Sequence, residues 1–248
     1  MILTVLIGNT NTRFGWFADR GLVRFLLYPT SAIRSGRMPR IGRGTPAAVA
    51  SVVPDATPPV CLRLQAVTGQ APLIVGPRTR TGLKLRYRRK DLGADRVCTA
   101  VGAHRLFPNH DVIVVDFGTA TTVNVVLREG VFAGGAILPG IGMALAALAA
   151  GTARLPHLLS VSQMGPIQHN TRDAIRAGVS NLFAGGINRI VARVEENVGR
   201  QFLMVTTGGA ARDADRLGVG RGVNEPHLGN IGLAAILDRN RGTRRTTA

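Results

Sequence analysis

The sequence predicts an α/β protein of two halves, on three observations. Apolar residues make up 45% of the 248-residue chain and 31 residues are glycine, a composition that suits a compact mixed fold. A buried strand running into a glycine turn of short hydroxyl and amide side chains occurs as TVLIGNTNTRFG at 4–15 and recurs as VVDFGTATTVNVV at 114–126. Helical patterns follow the strand patterns in each case. Superposing Gly118 on Gly8 sets Thr119 on Asn9, Phe117 on Ile7 and Asp116 on Leu6, so one copy has a carboxylate where the other has a leucine. The recurrence sets the expected boundary near residue 110 and gives halves of 1–110 and 111–248, each of ordinary domain size.

Taken in order, residues 2–7 and about 14–18 read as the first strands, joined through the turn GNTNTR. AAVASVVP reads as a helix-to-strand transition ending at Pro54, and APLIVG as a short buried strand. Over 93–107, Val97, Ala100, Val101 and His104 recur near helical spacing, with Asp95 near the start. The strand pattern then restarts as DVIVVDFGT, TTVNVVLREG and VFAGGAILPG. Helices are predicted over GMALAALAAGTARL and NTRDAIRAGVSNLFAGGINRIVARVEENVG, followed by a strand in QFLMVTTGGAA and a last helix in NIGLAAILDRN.

Several function classes are excluded. No stretch reaches the roughly 18 uninterrupted apolar residues of a membrane span; the nearest, GGAILPGIGMALAALAAG, is broken by Pro139 and its glycines. The first residues enter a strand pattern without the basic segment of a signal peptide, so the expected compartment is the cytoplasm, with no membrane partner. Cys61 and Cys98 are too few for a disulfide framework or a zinc site. The net charge of +17 is the footprint of a nucleic-acid binder, and it concentrates in RTRTGLKLRYRRKDLGADR (78–96) and the tail RNRGTRRTTA. All of the 31 basic residues except Lys84 and Lys90 are arginines, the skew of a GC-rich genome, and aromatic residues are not interleaved with them in the way a stacking surface requires. A solvated basic surface favouring anionic ligands is the preferred reading over nucleic acid.

The glycine turns carry the chemistry. A strand followed by Gly with Thr or Asn lets backbone N–H groups and short hydroxyls approach an anion closely. Two such turns facing each other across a cleft are expected to hold a triphosphate, with a carboxylate at a strand end holding a cation beside it. A third glycine turn, TTGGAA, follows a late buried strand and brings Gly208 and Gly209 into the same reading. GxxxxGK[ST] is absent, so this is no P-loop protein, and DFG is not that of a protein kinase, because HRL at 104–106 lacks the aspartate.

These residues resemble the type III pantothenate kinases, of the acetate and sugar kinase, actin and chaperone-ATPase superfamily. GNTNTRFG, SVVP (51–54), TGL (81–83), GADR (93–96), DFGTATT (116–122), GGAILPG (134–140), TARLP (152–156), NT (170–171) and TGG (207–209) occur in the family's order and spacing. The resemblance implies two ribonuclease-H-like halves around a nucleotide cleft and ATP-dependent phosphorylation of the pantothenate 4′-hydroxyl, the first step toward coenzyme A. It implies Asp95 as general base, accepting the alcohol proton as the phosphoryl group is transferred; read from its position alone, Asp95 is a helix N-cap. It implies a pantothenate pocket of Tyr87, Gly93, Ala94, Asp95 and Arg96, with Thr171 reaching in from the partner subunit of a homodimer. Residues Leu6, Ile7, Gly8, Asn9, Thr10, Asn11, Thr12 and Arg13, with Gly118, Thr119, Gly208 and Gly209, would hold ATP with Mg²⁺. Asp116 would hold a monovalent cation, K⁺ or NH₄⁺.

The departures bear on activity. The family's first motif is D-x-G-N-T, and here Leu6 stands in place of its aspartate. Asn124 replaces an aspartate that often follows the TT pair, the proline usually found before GADR is absent, and Tyr87 lies one residue off the family's spacing. Losing an anion from a phosphate site weakens the organisation of metal and phosphate. The alternative reading is therefore a catalytically impaired relative that serves as a regulatory or accessory binding module.

Overall fold

The computed structural model describes residues 1–213, 217–220 and 222–241; the basic end of the chain, 242–248, lies outside the described residues. Strands are β1 (Ile2–Ile7), β2 (Asn11–Ala18), β3 (Gly21–Pro29), β4 (Ala47–Ser51), β5 (Leu73–Ile74), β6 (Lys84–Leu85), β7 (Val112–Phe117), β8 (Ala120–Leu127), β9 (Val131–Pro139), β10 (Leu203–Thr207) and β11 (Val223–Asn224). Helices are α1 (Thr30–Arg34), α2 (Thr57–Thr68), α3 (Ala94–Leu106), α4 (Ile141–Ala150), α5 (Thr171–Val198) and α6 (Leu228–Arg241).

The chain divides into two compact units, one of Met1–Pro108, Glu129–Phe132 and His227–Ala248, the other of Asn109–Arg128 and Ala133–Pro226. In the first, the sheet order is β3-β2-β1-β4-β5, with β1 antiparallel to β2 and parallel to β4. In the second, the order β11-β10-β7-β8-β9 repeats that arrangement strand for strand, with β7 antiparallel to β8 and parallel to β10. The short β6 pairs parallel with Val131 and Phe132, the start of β9 that belongs to the first unit. The repeated strand-turn-strand signature thus reports a repeated sheet topology.

Each core follows from strand chemistry. The run ILTVLI of β1 is buried at every position, as expected of a central strand covered on both faces. Leu3, Val5 and Ile7 pack with Phe14 and Trp16 of β2 and with Val60 and Leu64 of α2. Thr4 and Leu6 face the other way: the Thr4 hydroxyl donates to the Gly15 carbonyl at 3.0 Å and accepts from the Asn230 amide of α6 at 2.9 Å. In the second unit Ile113, Val115 and Phe117 of β7 pack with Val123 and Val125 of β8 and with Ile175, Val179 and Phe183 of α5. Helix α5 runs 28 residues from an Asn170 cap, whose side chain accepts the Asp173 N–H at 3.0 Å, to a left-handed Gly199. Among the described residues no helix is long and apolar enough to cross a membrane.

Four local expectations are corrected. AAVASVVP contains no helix; Ala47–Ser51 is a strand pairing with β1, because a short run of four apolar residues and a serine beside a strand edge gains more from ladder bonds than from one helical turn. The second strand begins at Asn11, leaving only Gly8–Thr10 as turn. The buried strand expected in APLIVG shrinks to Leu73–Ile74 at a sheet edge, with Ile74 51% exposed. Helix α4 ends at Ala150 with Gly151 as its cap, short of Leu155.

Candidate functional site

In the first unit, two features meet at the C-terminal ends of the parallel strands β1 and β4, where open α/β sheets place their ligands. One is the turn Gly8–Thr10 that follows β1, with Asn9 and Thr10 exposed. Its closure is fixed by Gly8 N–H donating to the Asn11 carbonyl at 3.0 Å. Leu6, Ile7 and Thr12 are buried, so within the predicted segment only Gly8–Asn11 and the partly exposed Arg13 present groups to a ligand. Leu6 packs toward Gly229 of α6.

The other feature is a cavity of about 280 Å³ between the β4 end, α2, the segment 75–92 and the start of α3. Val52 N–H donates to the Ile7 carbonyl at 3.1 Å, which ties the cavity wall directly to the residue before the turn. The lining combines apolar Val52, Val75 and Leu92 with hydroxyls of Thr57 and Thr81 and the cations Arg89 and Lys90. Such a surface fits a small acid with an aliphatic body.

Gly93 and Ala94 line the same cavity, and Asp95 follows them in the first turn of α3. The helix cap is Gly93, not Asp95, which corrects the N-cap alternative. Asp95 Oδ1 accepts the Arg96 N–H at 2.8 Å, and no hydrogen bond among the described residues engages Oδ2. One carboxylate oxygen is thus anchored on the Arg96 amide.

Arg96 is only 5% exposed, with its guanidinium carbon 5.2 Å from the Tyr87 ring centre and 5.6 Å from that of Phe132. Its Nη1 lies 3.5 Å from the Tyr87 hydroxyl. Tyr87 and Arg96, nine residues apart, are therefore brought together, and the rings fix the guanidinium plane. Burial raises the Cys98 thiol well above its ordinary range, and the Asp95 charge adds to the shift.

In the second unit, Asp116, the last but one residue of β7, lies beside Thr207 of β10 and Thr122 of β8, its register partners. Gly208 takes φ +97° and lies so close that a side chain there would strike the Asp116 carboxylate and the Phe117 backbone. The turns after β7 and β10 are further joined by Ala210 N–H donating to the Phe117 carbonyl at 3.3 Å. Asp116, Gly118 and Gly208 thus form one corner, with Gly118, Thr119 and Gly209 exposed on it. No group of three or more His, Cys, Asp or Glu gathers among the described residues. A single carboxylate with hydroxyls fits a cation, such as the monovalent ion expected at Asp116, that keeps most of its ligands from water and phosphate, and does not fit a closed protein cage.

Thr171, exposed at the start of α5, lies instead on an open groove lined by Leu148, Leu155, Ile175 and Leu182. Asp173 beside it is held below the usual carboxylate range by hydrogen bonds from Asn170 and Arg176.

Sequence reasoning missed the cavity hydroxyls. Thr57 was reachable: the Thr-Pro-Pro opening of α2 is a helix-start signal, and its hydroxyl bonds Ser51 Oγ at 2.7 Å.

A type III pantothenate kinase family model matches residues 2–193. The type III pantothenate kinase of Moorella thermoacetica is 36% identical over 198 residues, covering 77% of this chain and 76% of that protein. That of Anaeromyxobacter sp. (strain K) is 34% identical over 257 residues, covering 97% and 100%. Among solved structures, a Campylobacter jejuni protein described as a Baf family transcriptional activator superposes with TM-score 0.66 at 17% identity, covering 97% of this chain and all of that one. A 2-dehydro-3-deoxygalactonokinase protein of Sinorhizobium meliloti gives 0.61 at 12%, covering both chains fully. The chain shares the fold of the Sinorhizobium meliloti kinase protein, and by sequence it belongs to the type III pantothenate kinase family.

Proposed function

We propose that the protein transfers the γ-phosphoryl group of ATP to the 4′-hydroxyl of pantothenate, giving 4′-phosphopantothenate and ADP in the first step of coenzyme A biosynthesis. The observation that carries this reading is the juxtaposition, in one unit, of the Gly8–Thr10 turn, the cavity and Gly93-Ala94-Asp95 at the same strand ends. In this reading the cavity takes the acceptor, with Arg89, Lys90 and Arg96 as cations near its carboxylate. Asp95 Oδ2 accepts the hydroxyl proton as the oxygen attacks phosphorus. Exposed amides of the Gly8 and Gly118 turns, with Thr119, Gly208 and Gly209, bind phosphate oxygens. Mg²⁺ carried by ATP supplies charge neutralisation, and Asp116 holds the monovalent cation. We extend the proposal to a cytoplasmic homodimer in which Thr171 contacts the partner's pantothenate; the apolar groove beside Thr171, with Leu182 65% exposed, supports it.

Leu6 favours a second reading, a relative that binds these ligands without turnover, because no carboxylate stands at the end of β1. Phosphorylation of pantothenate by the purified protein with ATP, Mg²⁺ and K⁺, beside Asp95→Ala and Leu6→Asp, separates the two. Turnover reduced by about 10² or more in Asp95→Ala, the scale of a lost general base, is the expected result. A silent parent that gains activity as Leu6→Asp would instead establish the non-catalytic reading.

A further inference from the structure

Thr30, the first residue of α1, is fully buried and grips the Gly8–Thr10 turn from about twenty residues away in sequence. Its hydroxyl donates to the Gly8 carbonyl at 2.6 Å, and its N–H donates to the Thr10 carbonyl at 2.9 Å. The Thr12 hydroxyl lies 3.1 Å from the same Thr30 oxygen. A hydroxyl has one proton to give. With the Thr30 proton committed to Gly8, Thr12 must be the donor to Thr30, so both hydroxyl protons are spent inside the brace and neither is offered to a ligand.

A trans peptide is planar, with its C=O and the next N–H pointing in opposite directions. Drawing the Gly8 carbonyl onto Thr30 therefore turns the Asn9 N–H away from Thr30, at a residue that is exposed. We propose that Thr30 is the positioning residue of the first phosphate turn: its hydroxyl sets the direction of the Asn9 amide, and through it the affinity for a phosphate oxygen of ATP. This rests on the turn being the nucleotide site proposed above. It assigns that site's geometry to a residue outside the turn.

The test uses Thr30→Val, which keeps shape and removes the hydroxyl, Thr30→Ser, which keeps the hydroxyl, and Thr12→Val, which removes one brace bond only. Amide hydrogen exchange over residues 8–12 in the ligand-free protein is read beside KM for ATP and for pantothenate. For Thr30→Val we expect exchange of the turn amides and KM for ATP each to rise about 10-fold, the scale of one buried hydrogen bond, with KM for pantothenate within about twofold of the parent. Thr30→Ser should stay near the parent, and Thr12→Val should move both quantities the same way by a smaller factor. Unchanged exchange in Thr30→Val overturns the proposal, as does a Thr30→Ser protein as impaired as Thr30→Val. If Thr30→Val does not fold, an unaltered turn in Thr12→Val overturns it equally. A parent without turnover whose exchange follows the expected order would sink the kinase reading and leave the brace standing.

Discussion

Leu6 is a core residue at the position on which the two functional readings differ. It is 7% exposed and packs toward Gly229, so the position at which the resemblance implies an acid is part of the core. Leu6→Asp gives up about 1.5–3 kcal/mol of burial. The nearby start of α6 returns at most about 2 kcal/mol by favouring a negative charge at its first turn. The desolvation of the carboxylate adds to the loss. The net expectation is a protein about 2 kcal/mol less stable, with a melting temperature lower by roughly 4–8 °C. A Leu6→Asp protein as stable as the parent would show that the site still accommodates a charge. The two cysteines give a second check at this scale. Burial raises both thiols, but Cys98 is fully enclosed and further opposed by Asp95, whereas Cys61 is partly exposed. A maleimide at pH 8 should modify Cys61 in the native protein and Cys98 only on unfolding, as read by peptide mass; equal rates would contradict the burial.

At the scale of elements, the sequence was most legible where one pattern runs long. The β-branched runs of β1 and β7, the helical spacing of α3 and the Asn170 start of α5 are each decided by local chemistry. The pieces that were misread are short: at Ala47–Ser51 and Leu73–Ile74, a neighbouring strand settles what five or two apolar residues become. The site was legible to the same degree. Gly8, Asp95 and Asp116 stand out in the sequence, while Thr30 and the cavity hydroxyls gain meaning only from contacts across the fold. The crossing of α3 and α6 is another such contact. A side chain at Gly232 would overlap the Cys98 carbonyl, and one at Gly102 the Leu228 carbonyl, so the helices approach backbone to backbone. Gly232→Ala must push them apart, and α3 presents Asp95. We expect a loss of about 1–3 kcal/mol, or more because backbone atoms cannot rotate aside, together with a fall in turnover. A variant that melts with the parent in thermal denaturation would refute the close crossing.

For the whole molecule, charge is the property that the fold leaves least explained, and its placement yields a prediction. Within 78–90, Arg78, Arg80, Lys84, Arg86, Arg88, Arg89 and Lys90 are all exposed, and among the described residues the one ion pair they make is Arg88 with Asp91 at 3.4 Å. Seven cations on one segment suffice for phosphate contacts in low salt. Sequence-tolerant binding that survives salt also needs stacking surfaces, and the segment's one aromatic, Tyr87, is packed against Phe132 with its ring centre 5.9 Å away. A single-stranded oligonucleotide should therefore bind at 50 mM salt and lose about 10³ in affinity by 200 mM, the fall expected for about seven phosphate contacts along a single strand. Because Arg89 and Lys90 also line the cavity, the bound oligonucleotide should compete with pantothenate at low salt and cease to do so at 200 mM. Fluorescence anisotropy with a labelled strand, repeated with pantothenate present, measures both. Binding that persists at 200 mM and ignores pantothenate would place the anion site elsewhere and strengthen the accessory-module reading. Binding that vanishes with salt makes the charge a solvated surface whose functional part is confined to the rim of the acceptor cavity.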